Sequence, residues 1–173
     1  DKLVLATGSS PIPLQIPGIE DPRVTHLWTL ADMDQVMSHV NAGAKRVVLV
    51  GAGFVGLEVA ENLREKGLEV TVVQRSAHVL STVDREMALP LARELESCGV
   101  RFEFERVVKK FITNESHLGV VLDNGKQFEC DFAILCAGVK PNSELARSAG
   151  LELGAQGHIV TDEYLKTSDP NIF

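Results

Sequence analysis

The stretch Arg46-Val47-Val48-Leu49-Val50-Gly51-Ala52-Gly53-Phe54-Val55-Gly56 constrains the fold of this chain more than any other. Arg46 to Val50 reads as an apolar, β-branched strand of the kind buried on both faces of a parallel sheet. It runs directly into a Gly-x-Gly-x-x-Gly loop. Beyond the loop, Val55, Val59 and Leu63 recur at helical spacing, Glu58, Glu61, Arg64 and Glu65 fall elsewhere, and Lys66-Gly67 supplies a cationic last turn and a terminator. A second strand from Glu69 to Val73 completes a strand-helix-strand unit of about 30 residues with a right-handed crossover.

A glycine loop by itself is a weak signal, because such loops also form purely structural turns. Between a strand and a helix it has the setting that dinucleotide binding requires. Gly51 permits the tight turn, Gly53 lets the backbone approach a pyrophosphate, and Gly56 lets the helix pack closely on the strand. Ala52, Phe54 and Val55 complete the loop, and the free N–H groups at the helix start face the phosphates.

The end of the second strand bears on which dinucleotide is taken. An acidic residue there accepts from the adenosine ribose hydroxyls in an NAD site, and this chain has Gln74. Gln74 removes a charge that would repel a 2′-phosphate, and Arg75 with Ser76 could hold one by charge-assisted hydrogen bonds. NADH and NADPH therefore both stand as candidates.

The rest of the chain supplies further elements of an α/β fold. Leu3-Val4-Leu5-Ala6 reads as a strand entering the loop Thr7-Gly8-Ser9-Ser10-Pro11, and Pro11, Pro13 and Pro17 mark an extended connector. Thr29-Leu30-Ala31-Asp32 has helix-start spacing, with Met33, Val36, Met37 and Val40 on the apolar face and Gly43 as the stop. Asp84 opens another helix, with Met87, Leu91, Leu95 and Cys98 on one face and Pro90 expected to kink it. Phe102 and Phe104 mark a strand, Val107 to Cys130 an antiparallel meander around Asn124-Gly125, and Phe132 to Cys136 a parallel strand. After Asn142 the chain reads as polar and irregular. The expected fold class is α/β: a Rossmann-like parallel sheet flanked by helices, with an inserted antiparallel β-meander.

A length of 173 residues suits about one domain with short extensions. The net charge of -7 argues against a nucleic-acid partner, since phosphate binding needs clustered cations. No apolar stretch approaches the roughly 20 residues that span a bilayer, and no signal-peptide pattern is present, so a cytoplasmic protein without a membrane partner is expected. Three cysteines without CxxC spacing, Cys98, Cys130 and Cys136, read as reduced, buried small hydrophobes. The five histidines show no ligand spacing, and neither a metal nor a catalytic acid, base or nucleophile is assigned.

Four segments together resemble the pyridine nucleotide-disulfide oxidoreductases, particularly the coenzyme A-disulfide reductase and NADH oxidase branch. They are Leu3 to Ser9, Arg46 to Glu58, Asp84-Arg85-Glu86-Met87, and Leu135-Cys136-Ala137-Gly138-Val139-Lys140-Pro141-Asn142. The resemblance implies an NAD(P)H-binding domain of an FAD-dependent enzyme, which positions the nicotinamide for hydride transfer to FAD. It implies that Phe54 gates the nicotinamide pocket, that Glu58 lies near the nicotinamide, that Ala137, Gly138 and Val139 approach the same end, and that Val108 lines the adenine pocket. NADP-using relatives often carry Ala at the third glycine, so Gly56 pulls against the NADPH reading that Gln74-Arg75-Ser76 supports.

Neither the family's FAD-binding glycine motif nor its redox cysteine stands in this sequence, and Ser168 to Phe173 resembles the lead-in to a flavin-binding segment. Residues 1–20 are thus expected to be a flavin-domain remnant with its connector, 21–150 the NAD(P)-binding domain, and 151–173 a return toward the flavin domain. FAD would belong to the full-length parent, expected to be a homodimer, and the isolated chain would bind nucleotide without turnover. The other readings are a stand-alone nucleotide-binding regulatory module, and an NAD-dependent dehydrogenase. The dehydrogenase is weakened by the lack of a His, Lys or Tyr constellation suited to acid–base work on a hydroxyl.

Overall fold

The computed structural model describes residues 1–173. In chain order the elements are β1 (Ser9–Pro11), β2 (Val24–His26), α1 (Leu30–Asn41), β3 (Arg46–Val50), α2 (Phe54–Glu65), β4 (Glu69–Gln74), α3 (Arg85–Ser97), β5 (Arg101–Phe104), β6 (Val108–Thr113), β7 (Leu118–Leu122), β8 (Gln127–Cys130), β9 (Phe132–Leu135), β10 (Val139–Pro141) and α4 (Glu144–Ser148). They form two compact units, Pro13–Gly138 and Asp1–Ile12 with Val139–Phe173. These limits differ from divisions after residues 20 and 150, because β1 pairs with β10 and draws the residues after Gly138 to the amino-terminal segment.

The larger unit is built on a parallel sheet of order β2-β9-β3-β4-β5. Alternation along its strands sorts the apolar side chains onto two faces. Val47, Leu49, Val70, Val72, Phe132 and Ile134 join Val36 of α1, Leu57, Ala60 and Leu63 of α2, and Ala88, Ala92 and Leu95 of α3 in one core. On the opposite face Val48, Val73, Ala133 and Leu135 pack with Val108, Phe111, Leu118, Val120 and Leu122 of the meander. The three longer helices thus share one face, and the meander covers the other.

The helices form where the spacing places them, but two of them bury a different stripe. α1 starts with a capping box: the Thr29 hydroxyl accepts from the Asp32 N–H at 3.2 Å, and the Asp32 carboxylate accepts from the Thr29 N–H at 2.7 Å. α2 buries Gly56, Leu57, Ala60 and Leu63 and leaves Val55 exposed. α3 buries Ala88, Ala92 and Leu95, whereas Met87, Leu91 and Cys98 are exposed. Small residues let a helix sit close to the sheet, so the alanine and glycine stripes win over the larger side chains beside them. Pro90 does not divide α3, which is continuous around it. Its exposed position leaves the unpaired carbonyl one turn earlier open to water. Asp84 is the N-cap residue of α3, yet its side chain makes no capping bond.

The meander follows its turn chemistry. Gly125 lies at φ +84° and donates to the Leu122 C=O at 3.1 Å, as the Asn-Gly pair predicts. The connector before β2 is fastened to the meander by the Asp21 carboxylate, whose side chain is 1% exposed. It accepts from Arg23 N–H at 3.0 Å, Nε at 2.9 Å and Nη2 at 2.7 Å, and from the Thr113 hydroxyl at 2.7 Å. The Arg23 guanidinium holds that carboxyl well below the usual aspartate range against the opposing effect of burial.

In the smaller unit the strand expected at Leu3 to Ala6 reduces to one parallel bridge, Leu3 with Ile172, while the strand β1 forms over Ser9–Pro11. Leu3 and Val4 are exposed, so no core holds a longer ladder. The Thr7-Gly8 and Pro141-Asn142 segments bind one another: Thr7 Oγ1 donates to the Asn142 C=O at 2.6 Å, and Asn142 Nδ2 donates to the Thr7 C=O at 3.0 Å. The short helix α4 lies in a region expected to be irregular.

Candidate dinucleotide-binding site

β3 occupies the centre of the sheet between β9 and β4. The chain moves outward from β3 through β4 to β5 and later returns to β9 on the other side. The carboxyl end of β3 is therefore a topological switch point, where parallel sheets collect ligands. The glycine loop lies at that end. Gly51 N–H donates to the Val73 C=O at 2.9 Å and Cys136 N–H to the Val50 C=O at 2.8 Å, joining the three strand ends.

The three glycines have different surroundings. Gly51 has φ +113°, and a Cβ there would strike the Cys136 carbonyl oxygen. A Cβ on Gly56 would strike the Gly51 carbonyl oxygen, because the first turn of α2 rests on the loop. Gly53 is exposed, and nothing lies within 4 Å of where its Cβ would stand. It is also the N-cap of α2, with no side-chain cap and no acidic residue in the first turn. The first amides of α2 thus have no side-chain acceptor at the helix start.

Ala52, between the first two glycines, is fully buried, and both of its peptide groups are engaged. Its N–H donates to Gln74 Oε1 at 3.1 Å, and its C=O accepts from the Leu80 N–H at 2.9 Å. Gln74 is 8% exposed and donates through Nε2 to the His78 C=O at 3.3 Å. It is turned toward the loop backbone. Arg75 is exposed and Ser76 half-buried at the end of β4, so these two carry the polar surface there.

Phe54 and Val55, at the start of α2, are 67% and 53% exposed, and Glu58 is exposed one turn further on. Ala137 and Gly138 are exposed after β9, with Gly138 at φ +97°, and Val139 is an exposed residue of β10 in the smaller unit. Val108 was expected beside an adenine. It is 2% exposed within the meander core, so its side chain offers no contact surface. Nothing in the sequence marks Ala52 and His78 as partners of Gln74, or Leu80 as a partner of Ala52; Leu80 at φ +47° carries no glycine or asparagine to announce its conformation.

The cysteines have different surroundings. Burial pushes the Cys130 and Cys136 thiols up to about 12, helped at Cys130 by the Asp131 carboxylate. Cys98 is exposed and Cys136 half-buried, contrary to the expectation that all three are buried. No group of three or more His, Cys, Asp and Glu side chains is placed to hold a metal ion, and no helix is long and apolar enough to cross a membrane.

A parallel sheet with a glycine loop at its switch point defines a Rossmann-like α/β fold. The chain belongs to the pyridine nucleotide-disulphide oxidoreductase family, which it matches over residues 1–173. It is 36% identical over 175 residues to an NADH oxidase of Methanocaldococcus jannaschii, covering 100% of this chain and 39% of that protein. The structure of the water-forming NADH oxidase from Lactobacillus brevis bound to NADH superposes with a TM-score of 0.92 at 32% identity, covering 100% of this chain and 38% of that one. An engineered water-forming NADPH oxidase bound to NADPH, a five-substitution mutant of an NADH oxidase, gives 0.91 at 33% identity with 100% and 38% covered. The chain spans well under half the length of these relatives.

Proposed function

We propose that this chain binds a nicotinamide dinucleotide on the Gly51 to Gly56 loop and presents the nicotinamide to an FAD held elsewhere in a longer oxidoreductase. The observation that carries this reading is the open backbone at Gly53 beside the uncapped start of α2. A pyrophosphate can approach Gly53 without meeting a side chain, and the α2 amides supply donors aligned with the helix dipole. The two cofactors supply the redox chemistry by hydride transfer; this chain's residues bind and orient. Phe54 covers the nicotinamide pocket, with Glu58, Ala137 and Gly138 at the same end, and electrons pass on to a disulfide, oxygen or another acceptor. The FAD-holding part is a flavin domain of the same polypeptide, and residues 1–20 and 151–173 are the parts of this chain that lead toward it. The parent is a homodimer.

At the adenosine end, Arg75 and Ser76 hold a 2′-phosphate. In the engineered NADPH oxidase a glycine becomes alanine and, eighteen positions later, Asp-Ala-Met becomes Ala-Arg-Ser. Here Gln74-Arg75-Ser76 begins eighteen positions after Gly56, so an uncharged residue, Arg and Ser stand at the same spacing. That protein's substitutions also replace a proline by arginine seven positions further on, where this chain has Ser81, and Gly56 remains glycine. Three of the five features match and two do not, which supports use of NADPH alongside NADH.

Separate titrations of NADH and NADPH into the chain and its Arg75→Ala variant test the assignment. Loss of a charge-assisted phosphate contact of about 1.5–3 kcal/mol predicts NADPH binding weakened by roughly one to two orders of magnitude, with NADH little changed. Equal NADPH affinity in the variant would remove Arg75 from the site.

A further inference from the structure

Gln74 stands where the ribose end of the nucleotide is read, yet its carboxamide is committed to the protein. Oε1 accepts from the Ala52 N–H and Nε2 donates to the His78 C=O, at 3.1 and 3.3 Å. The same segment returns to grip the other peptide group of Ala52 through the Leu80 N–H, and Leu80 adopts a left-handed backbone, φ +47°, to reach it. The phosphate loop and the turn carrying Arg75 and Ser76 are thus joined at one alanine, from both sides.

The chemistry of this contact selects an amide. One end must accept and the other must donate, within a side chain that is 8% exposed. A carboxylate supplies acceptors only, so it would keep the Ala52 bond and set an oxygen against the His78 carbonyl. An apolar side chain would leave the Ala52 N–H and the His78 C=O without this partner.

We propose that Gln74 is a positioning residue: its amide clasps the glycine loop to the 75–80 turn and fixes where Arg75 and Ser76 stand relative to the pyrophosphate. Discrimination between NADPH and NADH then depends on Gln74 as well as on Arg75. This inference rests on the reading of Arg75 and Ser76 as the 2′-phosphate contacts. It differs from direct ribose recognition, in which the side chain at the end of β4 would have to be free.

The test combines amide hydrogen exchange without ligand and titration of NADH and NADPH, on the unsubstituted chain and on Gln74→Leu, Gln74→Glu and Arg75→Ala. Gln74→Leu is expected to speed exchange at the Ala52 amide at least tenfold and to lower the NADPH-to-NADH affinity ratio at least fivefold. Gln74→Glu, which keeps the Ala52 acceptor, is expected to leave that amide protected, to speed exchange over 78–80 and to lower the same ratio; it serves as the test if the leucine variant fails to fold. Unchanged exchange at Ala52 in Gln74→Leu, or at 78–80 in Gln74→Glu, overturns the clasp whatever Arg75 does. An unchanged nucleotide ratio in both Gln74 variants overturns the link to discrimination. Normal NADPH binding by Arg75→Ala together with accelerated exchange in Gln74→Leu would refute the 2′-phosphate reading and leave the clasp standing.

Discussion

At the scale of single residues, polar groups that are fully engaged inside the protein set the properties that can be measured. Asp21 is the clearest case, a nearly inaccessible carboxylate with four bonded donors. Its acidity is raised in the folded state, so it stabilises the fold fully above the ordinary aspartate value of 3.8 and progressively less as pH falls below it. Asp21→Asn is expected to cost about 1.5–3 kcal/mol at pH 7, the range for hydrogen bonds to a charged group, and to flatten the loss of stability between pH 4 and 2. Denaturant melts across that range check it; parallel curves for the two proteins would contradict it. The thiols give a second expectation. Only Cys98 should react with a thiol reagent at pH 8 in the native chain, because burial holds Cys130 and Cys136 in the unreactive form, and all three should react in denaturant. Fast native labelling at Cys136 would show that the packing under the glycine loop opens. Gly51 and Gly56 were legible in the sequence because each answers a backbone demand that only glycine meets, and Gly53 because it completes their spacing. The direction of the Gln74 side chain was not, since it depends on an alanine twenty-two residues away.

At the scale of elements, residue spacing marked where strands and helices lie better than which side of a helix is buried. α1, β3, α2, β4 and the meander follow from runs, caps and the Asn-Gly turn. In α2 and α3 two apolar stripes lie side by side, and the buried one carries the small residues Gly56, Ala60, Ala88 and Ala92, which permit close approach. The three-residue strand β2 had no signal of its own: it pairs with β9, a partner distant in the chain. Pro90 belongs at this scale too. On the exposed side of α3 it removes one hydrogen bond without interrupting the helix. Pro90→Ala should therefore stabilise the chain by about 2 kcal/mol, the restored bond outweighing the gain in unfolded-state freedom. A rise of several degrees in Tm checks this, and a lower Tm would mean that α3 depends on the ring's fixed backbone angle.

At the scale of the whole molecule, the family was legible because four separated motifs agree, and the structure shows what two of them do. Arg46 to Glu58 builds the switch point, and Leu135 to Asn142 runs from the end of β9 into the Thr7 to Asn142 contacts of the smaller unit. The unit boundaries were not legible, because they are set by the β1 and β10 pairing rather than by composition. The central claim is that the glycine loop of this chain is itself a dinucleotide site. Calorimetric titration of NADPH and NADH into the chain and into Gly53→Ala tests it most directly. The added methyl meets no protein atom within 4 Å, so the variant should keep the fold and its Tm. One-to-one binding by the unsubstituted chain, weakened at least tenfold for both nucleotides in Gly53→Ala, is the predicted result. Undiminished binding by a folded Gly53→Ala, or no binding by the folded parent chain, would contradict it.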